Sequence, residues 1–424
     1  MTDPLPSKIR DHGTASGLGA FTAWLEDQGV WLPLAIGLVA RCILITTMFH
    51  WSTAPVTSDD ATYVRFAEGL LRTGRFETNH FPVGYPLFIA PFLMLGSAAF
   101  PLIRIAHVAL GVLTILIVSR IAALLYGSRA GLLAAWIAAL YPPLVFMTGR
   151  IMSETLFIAL LMLSLYEFLL SDRDQNVARS ARAGAFLALA SLARSNLVVM
   201  FPFVPLWFLA KRSSALRGRL LRALAFTAVA GTILMLPGFY FLQVRGEFTP
   251  FATNAGQTFY GANNPLANGG WVDVEAHPEL VQSIPPEVRH SPSAYSKAQQ
   301  SLGVRWIREN PAAFLSLLPK KFANAWIPGF QTSETTSRSR VAKVVLALTA
   351  GLLLLGAIVG RLLIEPAQRD GILLAVLVTY TVMSLAFYGN PRIGLFCAPV
   401  LIVYAAACVA KLLGRAKASD ELTS

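Results

Sequence analysis

Two adjacent carboxylates, Asp59 and Asp60, stand directly after Ser58 and just beyond the first long apolar run. Tyr63, Ala67 and Leu70 follow at helical spacing, which predicts a helix with Ser58 or Asp59 at its N-cap. Acids there can simply cap the helix and complement its dipole. They can equally take a proton from a hydroxyl, or ligate a metal. Arg150 and Glu154 lie four apart in TGRIMSETLF, at the junction of two apolar runs. As an i,i+4 pair on one helix they would contribute only about 0.2–0.5 kcal/mol. Arg194 in LARSNL and Arg392 in GNPRIGLF sit at further run ends. Each offers a rigid fork of donors suited to phosphate, or could snorkel to lipid headgroups. One such arginine would mean little; three on one face ask for an anionic partner. His80, in NHFPVGYP, follows the acid pair within the same loop. Histidine plus carboxylate is chemically a divalent-metal set, though two or three ligands do not identify a metal.

What must position these residues is a membrane. The chain has 424 residues, is 55% hydrophobic and only 14% charged, with mean hydropathy +0.57. Soluble domains carry about 25% charged residues. Ten apolar runs can be threaded as spans: 31–50, 102–125, 131–148, 153–170, 183–195, 196–210, 223–241, 341–360, 371–388 and 393–412. Their alternate loops and the tail hold Arg129, Arg173, Arg179, Arg182, Lys211, Arg212, Arg217, Arg219, Arg222, Arg361, Arg369, Lys411, Arg415 and Lys417. The short loops opposite hold only Arg150, Arg194 and Arg392. The positive-inside rule then places both termini in the cytoplasm and every candidate residue on the outer face. The net charge of +12 follows from these loops and is no nucleic-acid signal.

Residues 83–99 are apolar but short, and Pro86 and Pro91 break them. Counting them as a crossing would reverse the charge bias, so they are expected to lie at the outer interface as an amphipathic or re-entrant piece. Arg41, inside the first run, is expected to face protein and to pair with an acid or carbonyls. Cys42, Cys397 and Cys408 all fall in apolar runs and say nothing of redox compartment. No cleavable signal peptide is expected. The organisation predicted is all-α and polytopic: a cytoplasmic segment 1–30, a membrane module 31–241 with outer loop 51–100, an outer loop domain 242–340 with helices near 293–325, membrane helices 341–412 and a tail 413–424.

Taken in order, these pieces resemble the GT-C glycosyltransferases, specifically the family 39 group of protein mannosyltransferases and the lipid A aminoarabinose transferase. The matching residues are Asp59-Asp60-Ala61-Thr62-Tyr63, then Ala67, Leu70 and Gly74, and the Pro-rich Phe81-Pro82-Val83-Gly84-Tyr85-Pro86. Gly149, Arg150 and Glu154 follow, then Arg194, and finally Arg392 with Pro399. The likeness is good over about residues 30–210 and fair in the last span. Within 242–340 it rests on Gly261-Ala262-Asn263-Asn264-Pro265. The chain departs from the pattern at Asp60, where glutamate is commoner, and at His80, where some relatives have an acidic metal ligand.

The resemblance implies an enzyme of the cytoplasmic membrane, a hexosyl- or pentosyltransferase. It would move a sugar, with inversion, from a polyprenyl-phosphate donor to a lipid, glycan or protein acceptor on the outer side. It implies Asp59 as base with Asp60 assisting, donor contacts from Arg150, Arg194 and Arg392, an orienting role for Glu154, and substrate contacts from Tyr63, Tyr85 and Asn263. A divalent metal at His80 stays open. A transporter or flippase for lipid-linked saccharides would instead need internal repeats and ionisable residues at mid-membrane, where only Arg41 lies. A polymerase or ligase using a pyrophosphate-linked donor needs the same arginines, but the Asp-Asp-x-x-Tyr loop argues against it. A non-catalytic scaffold leaves the one-sided charges unexplained.

Overall fold

The computed structural model describes residues 29–55, 58–76, 79–211, 215–327, 340–364 and 370–423, and among these it contains helices and no strand. The segment before residue 29, Arg212 and Arg369 lie outside the described residues, as do the side chains of Ser58, Arg415 and Lys417. The chain is a multi-pass, all-α membrane protein. All ten apolar runs are helical, but they differ in length. Among the described residues six helices are long and apolar enough to cross a bilayer: Trp31–Phe49, Gly96–Tyr126, Ser153–Asp174, Leu216–Arg245, Val344–Leu363 and Leu395–Gly414. A seventh crossing results if Ser128–Leu140 and Pro142–Gly149, bent by 50°, form one broken span. Val177–Ala193, Phe203–Ala210 and Gly371–Ala386 are helices of 17, 8 and 16 residues. By length and composition alone, six or seven crossings are identified among the described residues, and the shorter helix Gly371–Ala386 is what returns the chain to the face where Arg392 meets Asp59. The shorter helices fall below the roughly 20 residues a crossing needs.

The bend has a local cause that also explains Arg41. Tyr141 is extended ahead of Pro142, as residues before proline usually are. Pro143 has no N–H to give the Ala139 carbonyl four residues back. Arg41, buried in the first span, donates from Nη1 to that carbonyl at 3.3 Å and to the Gly37 carbonyl at 2.9 Å. The buried charge therefore meets carbonyls, one of the two partners expected of it.

Gly84–Leu93 is a ten-residue helix packed between the Ser58–Thr73 helix and the start of Ala99–Tyr126. Its Tyr85, Pro86, Ile89 and Ala90 are buried against protein. The helix Val177–Ala193 lies along Leu216–Arg245, where the Ser180 hydroxyl donates to the Arg222 carbonyl at 2.7 Å. At the opposite end of the bundle from the acid pair, Asp172 is buried and pairs with Lys211.

Beyond Arg245 the chain forms a unit of short helices with a small core of its own. The helices Pro292–Glu309 and Pro311–Trp326 each open on a proline that needs no partner at the first helical position, close to the stretches expected there. Ser291 caps the first of them, and Ser291 and Ser293 both donate to Glu247 at 2.8 Å. Tyr260, Val274, Leu280 and Ile284 make a small core. This unit is stitched to the first loop: Thr253 N–H donates to the Asn79 carbonyl at 2.9 Å, and Asn254 N–H to the His80 carbonyl at 3.2 Å. Arg245 grips the Asn79 side chain at 2.8 Å.

Candidate active site

Four helix ends meet beneath this unit, and each delivers charge. Asp59 and Asp60 lie in the first turn of Ser58–Thr73, where the helix dipole favours them. Arg150 is an extended residue between two helices, and Glu154 sits in the first turn of Ser153–Asp174. Arg194 is extended at the end of Val177–Ala193. Arg392 opens a short helix capped by Asn390, whose side chain accepts from the Arg392 N–H at 2.9 Å. The loop before it presses on a neighbouring helix: a Cβ at Gly389 would fall 1.9 Å from the Lys321 carbonyl oxygen, so only glycine fits.

The charges form a chain. Arg194 Nη1 lies 2.9 Å from Glu154 Oε1. Arg392 Nε donates to the same oxygen at 2.7 Å, and Arg392 Nη2 donates to Asp59 Oδ2 at 3.0 Å. Beside them Arg150 holds Asp60, its Nη2 2.9 Å from Oδ2. Ser153 Oγ lies 3.2 Å from both the Tyr63 hydroxyl and Arg194 Nη1. The local pair suggested by spacing, Arg150 with Glu154, is not what forms; each residue finds a partner on a distant segment. Nor are the two aspartates occupied only as caps, since both carboxylates accept from arginine.

Burial sorts the roles. Glu154 is 3% exposed and Asp60 8%, whereas the Asp59 side chain is 39% exposed and faces a cavity of about 1190 Å³. The cavity is lined by Asp59, Tyr63, His80, Arg194, Arg392 and Tyr388, among others. Burial would lower the Arg392 pKa, but Glu154 and Asp59 outweigh it and hold the guanidinium above its ordinary value. Burial raises the Tyr388 phenol, with Arg194 and Arg392 opposing. Burial pulls His80 down, and Glu275 pulls it the other way.

Two expected substrate contacts are placed elsewhere. Tyr85 is fully buried, its hydroxyl 3.1 Å from His107 Nε2, with its ring edge-on to Tyr63. Asn263 is buried too, donating to the Phe259 and Ala386 carbonyls and accepting from Lys321 Nζ at 2.7 Å. That Lys321 is itself buried, with no carboxylate partner among the described residues, and its pKa falls to about 8 through desolvation. Both residues support the walls and do not line the space. His80 does line it, yet no group of three His, Cys, Asp or Glu that could hold a metal occurs among the described residues. Asp59, Asp60 and Glu154 are each engaged by arginine, so the donor set does not fit a protein-built metal cage. Tyr388, Trp271, Asp273, Glu275 and His277 also line the cavity and were not singled out from sequence.

Comparison with known proteins agrees with this architecture. Residues 80–239 match the family model described as dolichyl-phosphate-mannose-protein mannosyltransferase. No curated protein matches the chain in sequence. Among solved structures, the oligosaccharyltransferase AglB from Archaeoglobus fulgidus, in complex with an inhibitory peptide and a dolichol-phosphate, superposes with TM-score 0.56 at 17% identity over 94% of this chain and 52% of its own. The chain has the GT-C fold. A second structure of the Archaeoglobus oligosaccharyltransferase, with zinc and sulfate, gives TM-score 0.53 at 17% identity over 91% and 49% of the two chains. ArnT from Cupriavidus metallidurans, bound to undecaprenyl phosphate, gives 0.41 at 15% identity over 92% and 78%. The chain therefore spans about half the length of the GT-C oligosaccharyltransferase it matches.

Proposed function

We propose that this GT-C protein transfers a sugar from a polyprenyl-phosphate donor to an acceptor hydroxyl, with inversion. The observation that carries the reading is the chain Arg194–Glu154–Arg392–Asp59, which ends on the cavity in a half-exposed carboxylate. A departing lipid phosphate needs cations and a hydroxyl nucleophile needs a base, and this chain sets the two side by side. Glu154, nearly inaccessible, fixes two guanidinium forks. Arg392 and Arg194 then face the donor phosphate. The phosphate competes with Asp59 for Arg392 Nη2 and so releases the carboxylate as a base. The acceptor oxygen attacks the anomeric carbon as its proton passes to Asp59. The bond from that carbon to the phosphate oxygen breaks, and polyprenyl phosphate leaves with one more negative charge. Asp60, held by Arg150, and Tyr63, held near Ser153, keep the Ser58–Thr73 helix end in place.

Purified protein supplied with a panel of polyprenyl-phosphate sugars is expected to consume at least one of them. Failure to deplete any hexosyl or pentosyl donor, with the protein folded, would remove the reading. The loop charges further support a site on the outer side of the cytoplasmic membrane. Cysteine introduced at Ser283 is then expected to react with an impermeant thiol reagent in intact cells, while cysteine at Gln175 stays unlabelled until the cells are opened. Labelling of the Gln175 variant in intact cells would overturn that orientation.

A further inference from the structure

The cavity has a second polar wall that the phosphate chemistry does not use. It is built by residues 271–277 and the start of the Ala255–Ala262 helix. In Trp271-Val272-Asp273-Val274-Glu275 the side chains alternate. Val274 is fully buried in the small core with Tyr260, Leu280 and Ile284, and Val272 packs against it. Trp271, Asp273 and Glu275 are exposed and line the cavity.

All three are held in place. The Trp271 indole lies against Gly261, where a Cβ would come within 2.5 Å of Nε1, and the Val272 N–H donates to the Gly261 carbonyl at 2.9 Å. Asp273 Oδ1 accepts from the Glu275 N–H at 3.1 Å, and Glu275 Oε1 accepts from the Tyr295 hydroxyl at 2.6 Å. Each carboxylate is thus fixed by a hydrogen bond to one of its oxygens. The arginines that line the cavity among the described residues, Arg194 and Arg392, both belong to the ion-pair chain already described.

We propose that Trp271, Asp273 and Glu275 form an acceptor subsite for a neutral saccharide. The proposal rests on the transfer reading for its purpose but not for its chemistry. An indole face suits the apolar C–H face of a sugar ring, and its large area is ordered at little entropic cost. Fixed carboxylate oxygens accept from neighbouring hydroxyls in charge-assisted bonds. A uronic acid would meet like charge here. A sugar seated on this wall shares the cavity with Asp59, which is the carboxylate its hydroxyl has to reach.

The test reads binding without donor. Full-length protein in nanodiscs is presented with neutral oligosaccharides containing glucose, galactose, mannose or N-acetylglucosamine, with matched uronic-acid oligosaccharides, and with a Ser/Thr-rich peptide. Saturation-transfer NMR is expected to show at least one neutral saccharide binding, weakened about tenfold or more in both Trp271→Ala and Asp273→Asn. Asp273→Asn keeps shape, and an unchanged thermal midpoint shows that the fold survives. The proposal falls if no neutral saccharide binds, if binding survives both substitutions, or if the uronic acids or the peptide bind more tightly through these residues. Loss of polyprenyl-phosphate sugar binding in Asp273→Asn, with free saccharide binding intact, would make the wall part of the donor site and overturn it. Failure of the transfer reading looks different: saccharides would bind at this wall while no donor is consumed.

Discussion

Asp59→Asn is expected to lower sugar transfer about 10²–10⁴-fold, the usual cost of losing a general base, while the protein stays folded and still binds donor. The amide is isosteric and its oxygen can still accept from Arg392 Nη2, now 3.0 Å from Asp59 Oδ2, so the helix end and the arginine keep their positions. What it cannot do is take a proton. The competing role is structural: Asp59 as one partner of a half-exposed ion pair. Pairs of that kind contribute about 0.2–1 kcal/mol, which limits the loss to less than about tenfold. The two roles therefore separate by magnitude. Single-turnover transfer with a saturating acceptor, measured beside donor binding, reads the difference. Near-normal turnover in Asp59→Asn would reduce the residue to a partner of Arg392. Asp60 would be a poor substitute, because it is buried and held by Arg150.

The charged residues were legible because a membrane makes charge rare and therefore informative. Three arginines and three acids stood out at run ends, and the fold draws all six into one cluster. Their pairing was not legible. Spacing offers Arg150 to Glu154, but Asp60 is 90 positions from Arg150, and Glu154 is 238 from Arg392. Such partners are chosen by how the helices pack. Tyr85 and Asn263 were legible as unusual residues in a resemblance, but only burial reveals that Tyr85 packs on the His107 side chain and Asn263 braces the Ala386 backbone. The crossings were legible as apolar runs and less so as spans, since run length does not say where proline or a short loop ends a helix, as at Pro142. The wall at 271–275 carried a readable signal, an alternation of period two. It is hidden beside the Gly- and Asn-rich stretch that precedes it, and only the small core containing Val274 shows which face is inward.

Arg392 tests the phosphate half of the site, and the informative substitution is the conservative one. Its backbone has little freedom: Asn390 caps its N–H, the Tyr380 hydroxyl donates to the Asn390 carbonyl at 3.0 Å, and Gly389 is pressed against the Lys321 carbonyl. Its side chain spans from Glu154 to Asp59 with two different nitrogens. A lysine brings one ammonium, which cannot hold the buried Glu154 and a phosphate in a fixed fork at once. Arg392→Lys is therefore expected to lose activity clearly, and Arg392→Ala to lose about 10²–10³-fold, as when a donor that stabilises developing negative charge is removed. The loss should fall on turnover as well as on donor binding, because the leaving phosphate gains charge and the cation stabilises the transition state beyond the ground state. The guanidinium is held above its ordinary pKa, so its charge does not vary over any practical assay range. Glu154 keeps Arg194 as a second partner at 2.9 Å, so Arg392→Ala leaves no buried acid without a cation. An arginine that merely snorkels to lipid headgroups behaves otherwise: lysine replaces it freely, since headgroups accept either cation. Turnover and donor affinity measured for the two variants, with and without added methylguanidinium, decide between these. Partial rescue of Arg392→Ala by methylguanidinium but not by methylammonium would fit a fork on phosphate. Wild-type turnover in Arg392→Lys, with only a mild loss in Arg392→Ala, would remove Arg392 from the donor site and leave Arg194 as the cation that faces the cavity.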